Sequence, residues 1–143
     1  MGTLGDMTVE LNHTIVAAID KEASARFLCD LFDLADPVAI GPFLVVEVGN
    51  GLSLDYADVA TDATVAPQHY AFLVDDATFD RVHGLLLERG LDFWADPRMA
   101  RPSEINTNDG GRGVYFQDPS GHYLEAITVP YGGWPEGSGS GQS

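Results

Sequence analysis

An internal repeat constrains the fold of this chain more than any other feature of its sequence. Gly121–Glu125 (GHYLE) matches Gly51–Asp55 (GLSLD) at an offset of 70 residues, and Gln68–Phe72 (QHYAF) matches Asn12–Val16 (NHTIV) at an offset of 56. The difference between the offsets indicates an insertion of 14 residues in the second copy, within residues 99–112. Two copies of one supersecondary unit predict a domain built from two similar modules.

Hydrophobic periodicity gives each copy the order strand, helix and three strands. The predicted strands cover residues 11–19, 38–40, 43–48 and 52–56 in the first copy, and residues 69–74, 92–95, 113–117 and 122–129 in the second. Asp20 is expected to cap the first helix, Asp75 or Asp76 the second, and Gly90 to end the second. The sequence therefore predicts one α+β domain over residues 1–143. Its two βαβββ modules, at about residues 9–58 and 66–130, form a curved mixed sheet, and a flexible tail covers residues 132–143.

Composition excludes several classes of function. The chain has 22 acidic and 7 basic residues and a net charge of −15, which argues against nucleic acid and anionic membranes as partners. Its single cysteine, Cys29, cannot form an internal disulfide. No apolar run is long enough to cross a membrane, and the first ten residues lack the pattern of a signal peptide. These features predict a soluble cytoplasmic protein.

Alternation along the strands assigns polar residues to one face of the predicted sheet. Apolar residues at equivalent positions of both copies, such as Leu44 and Val114, are expected beneath the helices. The opposite, open face then carries polar and aromatic residues from both copies, namely His13, His69, Asp55, Glu125, Glu47, Gln117 and Tyr115. Two imidazoles and at least one carboxylate are thus expected to face one cavity. This donor set suits a divalent metal that keeps free coordination positions.

The chain resembles the vicinal oxygen chelate superfamily, which includes glyoxalase I, extradiol dioxygenases, fosfomycin-modifying enzymes and bleomycin-binding proteins. The resemblance covers about residues 11–131 and is most specific in the strand of His13, in Gln68–Phe72 and in Gly113–Glu125 (GVYFQDPSGHYLE). It implies that His13, His69 and Glu125 bind one divalent metal per chain. It also implies a homodimer. The last strands and the segment before them are most similar to small dioxygenase-like members, some of which act on aromatic polyketides.

The leading hypothesis is therefore a dioxygenase-type enzyme acting on a vicinally oxygenated, polycyclic aromatic small molecule, with Fe(II) favoured and Mn, Zn or Ni as alternatives. Glu47, Tyr115 and Gln117 are its candidate catalytic residues, and Tyr123 and Asp55 its candidate substrate contacts. Asp55 is either a fourth metal ligand, as in glyoxalase-type sites, or part of the cavity wall. The alternative functions are a glyoxalase-type lyase or isomerase and a metal-free protein that sequesters an antibiotic.

The segment around the insertion is unusually basic for this acidic chain. Residues 97–112 contain three of the seven basic residues, Arg98, Arg101 and Arg112, against Glu104 and Asp109. A cationic loop beside a metal cavity predicts contact with an anionic or phenolate substrate. The alternative is a solvated loop whose arginines pair locally with carboxylates.

Overall fold

The computed structural model describes residues 9–133. Within those residues the fold has two α-helices and eight strands. In chain order they are β1 (His13–Ala18), α1 (Lys21–Phe32), β2 (Val38–Ile40), β3 (Phe43–Glu47), β4 (Ser53–Asp58), β5 (His69–Leu73), α2 (Asp76–Glu88), β6 (Phe93–Trp94), β7 (Gly113–Gln117) and β8 (Tyr123–Ile127). Short 3₁₀ turns cover Asn108–Gly110 and Tyr131–Gly133. The predicted tail falls largely on residues 134–143, which lie outside the described part.

The two predicted βαβββ modules are confirmed. The first forms a four-stranded sheet in the order β1-β4-β3-β2, and the second repeats it as β5-β8-β7-β6. In each sheet the first strand of the module pairs in parallel with the last, β1 with β4 and β5 with β8. The other pairs are antiparallel. Each module thus has its own sheet, and the strand that carries the candidate histidine is an edge strand in both.

Local sequence explains where the helices begin and end. The Asp20 side chain accepts hydrogen bonds from the backbone N–H groups of Glu22 and Ala23 at the start of α1, and Asp75 caps α2 through Thr78 N–H. Both carboxylates satisfy N–H groups that have no partner within the helix. The second helix ends just before Gly90, whose φ of +64° suits glycine. No helix in the described residues is long and apolar enough to cross a membrane.

The core lies between the helices and one face of each sheet. Leu44, Val46, Val114 and Phe116 are all buried, as the alternation predicts, and the Phe32 ring packs against Phe72 with centroids 4.9 Å apart. Burying one such side chain contributes about 1.5–3 kcal/mol. The opposite faces of the two sheets remain open, so they are the surfaces available for a functional site.

His122 joins the two modules. Its ring is 1% exposed, its Nδ1 accepts a hydrogen bond from Gln68 N–H at 3.0 Å, and its Nε2–H donates to the Ala17 carbonyl at 2.7 Å. Because Nδ1 is an acceptor and a carbonyl can only accept, these contacts select the neutral Nε2–H tautomer. Nearby, the Ser120 hydroxyl accepts from Ile19 N–H and bonds to the Ser24 hydroxyl. The end of β1 is thereby held against the start of β5.

Candidate active site

His69 and Glu125 form the centre of the candidate site. Their side chains extend from β5 and β8 on the open face of the second sheet, and His69 Nε2 lies 2.9 Å from Glu125 Oε1. The Glu125 side chain is 10% exposed and that of His69 is 47% exposed. A buried carboxylate and an accessible imidazole are thus held together at the surface of the sheet.

The donor pair fits two adjacent positions around a divalent metal. Nitrogen and oxygen ligands lie about 2.1 Å from such an ion, so two ligands at right angles are separated by about 3.0 Å. The His69–Glu125 distance is 2.9 Å. An imidazole nitrogen and a carboxylate oxygen also match the chemistry of iron, manganese, zinc and nickel sites. One module therefore supplies two donors of the predicted set.

His13 does not join this pair within one chain. Nowhere in residues 9–133 do three His, Cys, Asp or Glu side chains meet in a group that could hold a metal. His13 is exposed, and its Nδ1 bonds to the neighbouring Asn12 side chain at 2.8 Å. Within one chain the two imidazoles therefore do not meet, and their binding of one metal together with Glu125 stays a prediction.

The packing of the modules explains this separation. The link through His122 brings Ala17, near the end of β1, to Gln68, just before His69. His13 stands four residues before Ala17, which is about 13 Å along an extended strand. Both histidines lie on open faces, as alternation predicts. However, the start of β5, where His69 lies, is next to the end of β1, and His13 lies at the start of β1.

Tyr115 lies beside the His69–Glu125 pair. It is the register partner of Glu125, and its ring meets the His69 ring edge-on with centroids 6.0 Å apart. Burial, and then the neighbouring Glu125 carboxylate, raise the pKa of the Tyr115 phenol well above its ordinary value. A tyrosine phenol is protonated at neutral pH even without this rise, so it can donate a hydrogen bond to a ligand oxygen.

The other predicted residues divide between the two sheets. Asp55 and Glu47 belong to the open face of the first sheet, where the Asp55 carboxylate accepts from the Ser53 hydroxyl at 2.8 Å. Gln117 and Tyr123 are register partners on the open face of the second sheet, the face of Glu125. The candidates on the strands therefore fall into two groups. His13, Asp55 and Glu47 lie on the first sheet, and His69, Glu125, Tyr115, Gln117 and Tyr123 lie on the second.

The arginines of the insertion have local partners. Arg101 pairs with Glu104 at 3.0 Å, and Arg112 pairs with Asp76 and Asp80 on α2 at 3.0 and 2.8 Å. The Arg112 guanidinium also lies 4.5 Å from the centroid of the Phe79 ring. These contacts give both side chains a structural role in fixing the loop. A substrate role for Arg98, Arg101 or Arg112 stays a prediction, although Arg112 and Glu125 both line a cavity of about 50 Å³.

Three residues that sequence reasoning missed adjoin the site. A pocket of about 120 Å³ beside His69 and Tyr115 is also lined by Trp94, Asp96 and Met99. Trp94 is the register partner of Tyr115, so strand alternation could have placed it on the open face. Met99 lies on an irregular turn, for which periodicity gives no prediction.

Comparisons with known proteins identify close relatives. The chain is 62% identical to the solved structure of Oxidase ChaP-H1 (TM-score 0.84), a match that covers 87% of this chain and 99% of that one. It is 59% identical to Oxidase ChaP-H2 (TM-score 0.84), covering 88% and 98%. The fosfomycin resistance protein FosX from Mesorhizobium loti is 25% identical (TM-score 0.60), covering 83% and 91%.

A curated relative gives a shorter match. The metallothiol transferase FosB from Shouchella clausii is 37% identical over 60 residues, which is 42% of this chain and 37% of that protein's length. None of the protein-family models compared with the chain matches it.

Proposed function

We propose that this chain, which belongs to the vicinal oxygen chelate superfamily, is a metal-dependent oxidoreductase of the dioxygenase type. The observation that carries the proposal is its 62% identity to an oxidase over 99% of that protein's length. The substrate class we propose is a small aromatic molecule with oxygens on adjacent carbons. The open face of the second sheet supports this choice, since the rings of Trp94, Tyr115 and Tyr123 line a pocket beside His69.

The metal is proposed to bind His69 and Glu125 of one chain and His13 of a second copy. The first two residues already lie at the separation of adjacent ligands. The third lies on the open face of the other module, too far away within its own chain to join them. A homodimer that sets the first sheet of one copy opposite the second sheet of its partner would complete two equivalent sites.

Exposed apolar residues on the open faces support such a dimer. On the first sheet, Ile15, Val38 and Ile40 are each more than half exposed, and on the second Leu73 is 59% exposed. Val38 and Ile40 lie together on the edge strand β2, and Ile15 lies on β1 at the other edge of the same sheet. Burying these exposed apolar side chains in a protein contact would be favourable. The same contact would bring Glu47 and Asp55 of one copy towards Tyr115 and Gln117 of the other.

Each side chain has a distinct proposed task. The Tyr115 phenol, which is protonated at neutral pH as an ordinary tyrosine is, donates to an oxygen of the bound substrate. Gln117 orients a hydroxyl of the substrate, and Glu47 of the partner copy accepts the proton of that hydroxyl. An Fe(II) ion held by two imidazoles and one carboxylate would supply the redox chemistry that dioxygen requires.

Reconstitution with defined metals tests the proposed reaction. The metal-free protein is loaded separately with Fe(II), Mn(II), Ni(II) or Zn(II). Oxygen consumption is then followed with catecholic and quinonoid substrates, and isomerisation with glutathione hemithioacetals. We expect oxygen uptake only with the redox-active metals. Isomerisation with Ni(II) or Zn(II) and no oxygen uptake would reject the proposal in favour of a glyoxalase-type lyase.

A further inference from the structure

We infer that the pocket beside His69 is a subsite for one flat aromatic ring, with Trp94 and Met99 as the residues that select it. The inference deepens the proposed function and rests on it for the class of substrate. The pocket is lined by His69 but not by Glu125, and its other walls are Trp94, Asp96, Pro97, Met99, Tyr115, Phe116 and Tyr123. Since most of its walls are not candidate metal ligands, we expect it to bind part of a substrate without a metal.

The size and lining of the pocket define the ligand. Its volume is about 120 Å³, somewhat less than the cavity of about 150 Å³ that is known to hold benzene. At most one six-membered ring can therefore enter, and further rings of a larger molecule must lie outside, along the open face. Trp94, Tyr115 and Tyr123 contribute aromatic surface, which favours stacked or edge-on contact with a flat ring.

The turn that carries Met99 is held in a strained conformation. Met99 has a φ of +60°, a region that residues other than glycine seldom adopt. The Asp96 carboxylate fixes the turn by accepting the backbone N–H groups of Ala100 and Arg101 at 3.0 and 2.8 Å. Burial opposes the ionisation of Asp96, but these bonds prevail and lower its pKa. Asp96 is thus occupied with positioning the turn, and Met99 is left as the pocket wall.

The thioether side chain of Met99 suits the role of a pocket wall against an aromatic ring. Its flexible, polarisable side chain makes favourable contacts with aromatic rings. Strain at a non-glycine residue is often found at ligand-binding positions. A glycine at position 99 would relieve the strain and remove the wall, so binding and stability can be separated experimentally.

Calorimetric titration tests the subsite. The probe is 2,3-dihydroxynaphthalene, compared with the saturated decahydronaphthalene-2,3-diol, on full-length protein kept metal-free with a chelator. We expect only the aromatic diol to bind. Met99→Gly should weaken its binding about tenfold while the urea midpoint stays unchanged or rises, and Trp94→Leu should also weaken it about tenfold.

Ser103→Gly is the matched control, because Ser103 also has a positive φ, +62°, and lies outside the pocket lining. It should relieve backbone strain and leave the affinity unchanged. Equal binding of the two diols, or unchanged affinity in both pocket variants, would overturn the inference. Ring binding without oxygen uptake in the metal-loaded protein would instead uphold the subsite and count against the proposed reaction.

Discussion

Replacement of His122 by alanine is expected to lower the free energy of unfolding by about 3–5 kcal/mol. The ring is almost wholly buried, and its two nitrogens satisfy Gln68 N–H and the Ala17 carbonyl. Alanine would leave both backbone groups without their imidazole partner, and each unsatisfied group costs about 1–3 kcal/mol of stability. It would also open a cavity beside Tyr70, whose ring meets the imidazole edge-on. Urea unfolding followed by circular dichroism measures the change.

His13→Ala is the control for this measurement, made in the presence of a chelator. His13 is exposed, and its only side-chain bond among the described residues is to the adjacent Asn12. Its loss should change stability by less than about 0.5 kcal/mol. Similar losses in the two variants would refute the view that His122 joins the modules while His13 is free for another role.

Glu125→Ala and His69→Ala are each expected to abolish tight metal binding. Each variant removes one of the two donors that the second module holds 2.9 Å apart. The remaining donor cannot retain the ion with His13 alone, since a site of this class needs three protein ligands. Elemental analysis of anaerobically purified protein should find about one divalent metal per chain in the parent and almost none in either variant.

Asp55→Ala is the matched carboxylate control. Asp55 occupies the position in the first module that Glu125 occupies in the second, but its side chain is one methylene shorter. Its carboxylate is bonded to the Ser53 hydroxyl. We expect the variant to keep its metal with a modest loss of affinity. Loss as complete as in Glu125→Ala would make Asp55 a fourth ligand and favour a glyoxalase-type site.

The repeat made most of the fold predictable. Aligning Gly51 with Gly121 and His13 with His69 gave two modules with the same order of elements, and the structure has that order. Capping by Asp20 and Asp75 could be predicted because each aspartate directly precedes a run of apolar residues at helical spacing. Within the modules the differences lie at strand ends, as in β6, which has two residues where four were expected. The single curved sheet that was expected is instead two four-stranded sheets.

The relation between the modules could not be predicted in the same way. Strand alternation is a local property, so it gives the face on which His13 and His69 lie but not the distance between them. That distance depends on how the modules pack, which here follows from a buried histidine bonded to backbone groups 105 and 54 residues away in sequence.

The pocket was missed for a different reason. The turn after β6 is shaped by the Asp96 side chain and by a positive φ at Met99, neither of which has a periodic signature. The surplus of arginines in the same loop led to the prediction of an anionic substrate. In the structure Arg101 pairs with Glu104, and Arg112 pairs with Asp76 and Asp80. Net charge in a segment does not reveal which charges are already paired.

The most direct test of the central claim, a metal site shared between two copies, is complementation. His13→Ala and Glu125→Ala chains are unfolded together, refolded as a mixture and loaded with Fe(II), and bound iron and oxygen uptake are compared with those of each variant refolded alone. A mixed dimer contains one intact site, because one copy supplies His13 and the other supplies His69 and Glu125. We therefore expect iron binding and oxygen uptake to return in the mixture. A mixture that binds no more iron than the separate variants would contradict the shared site.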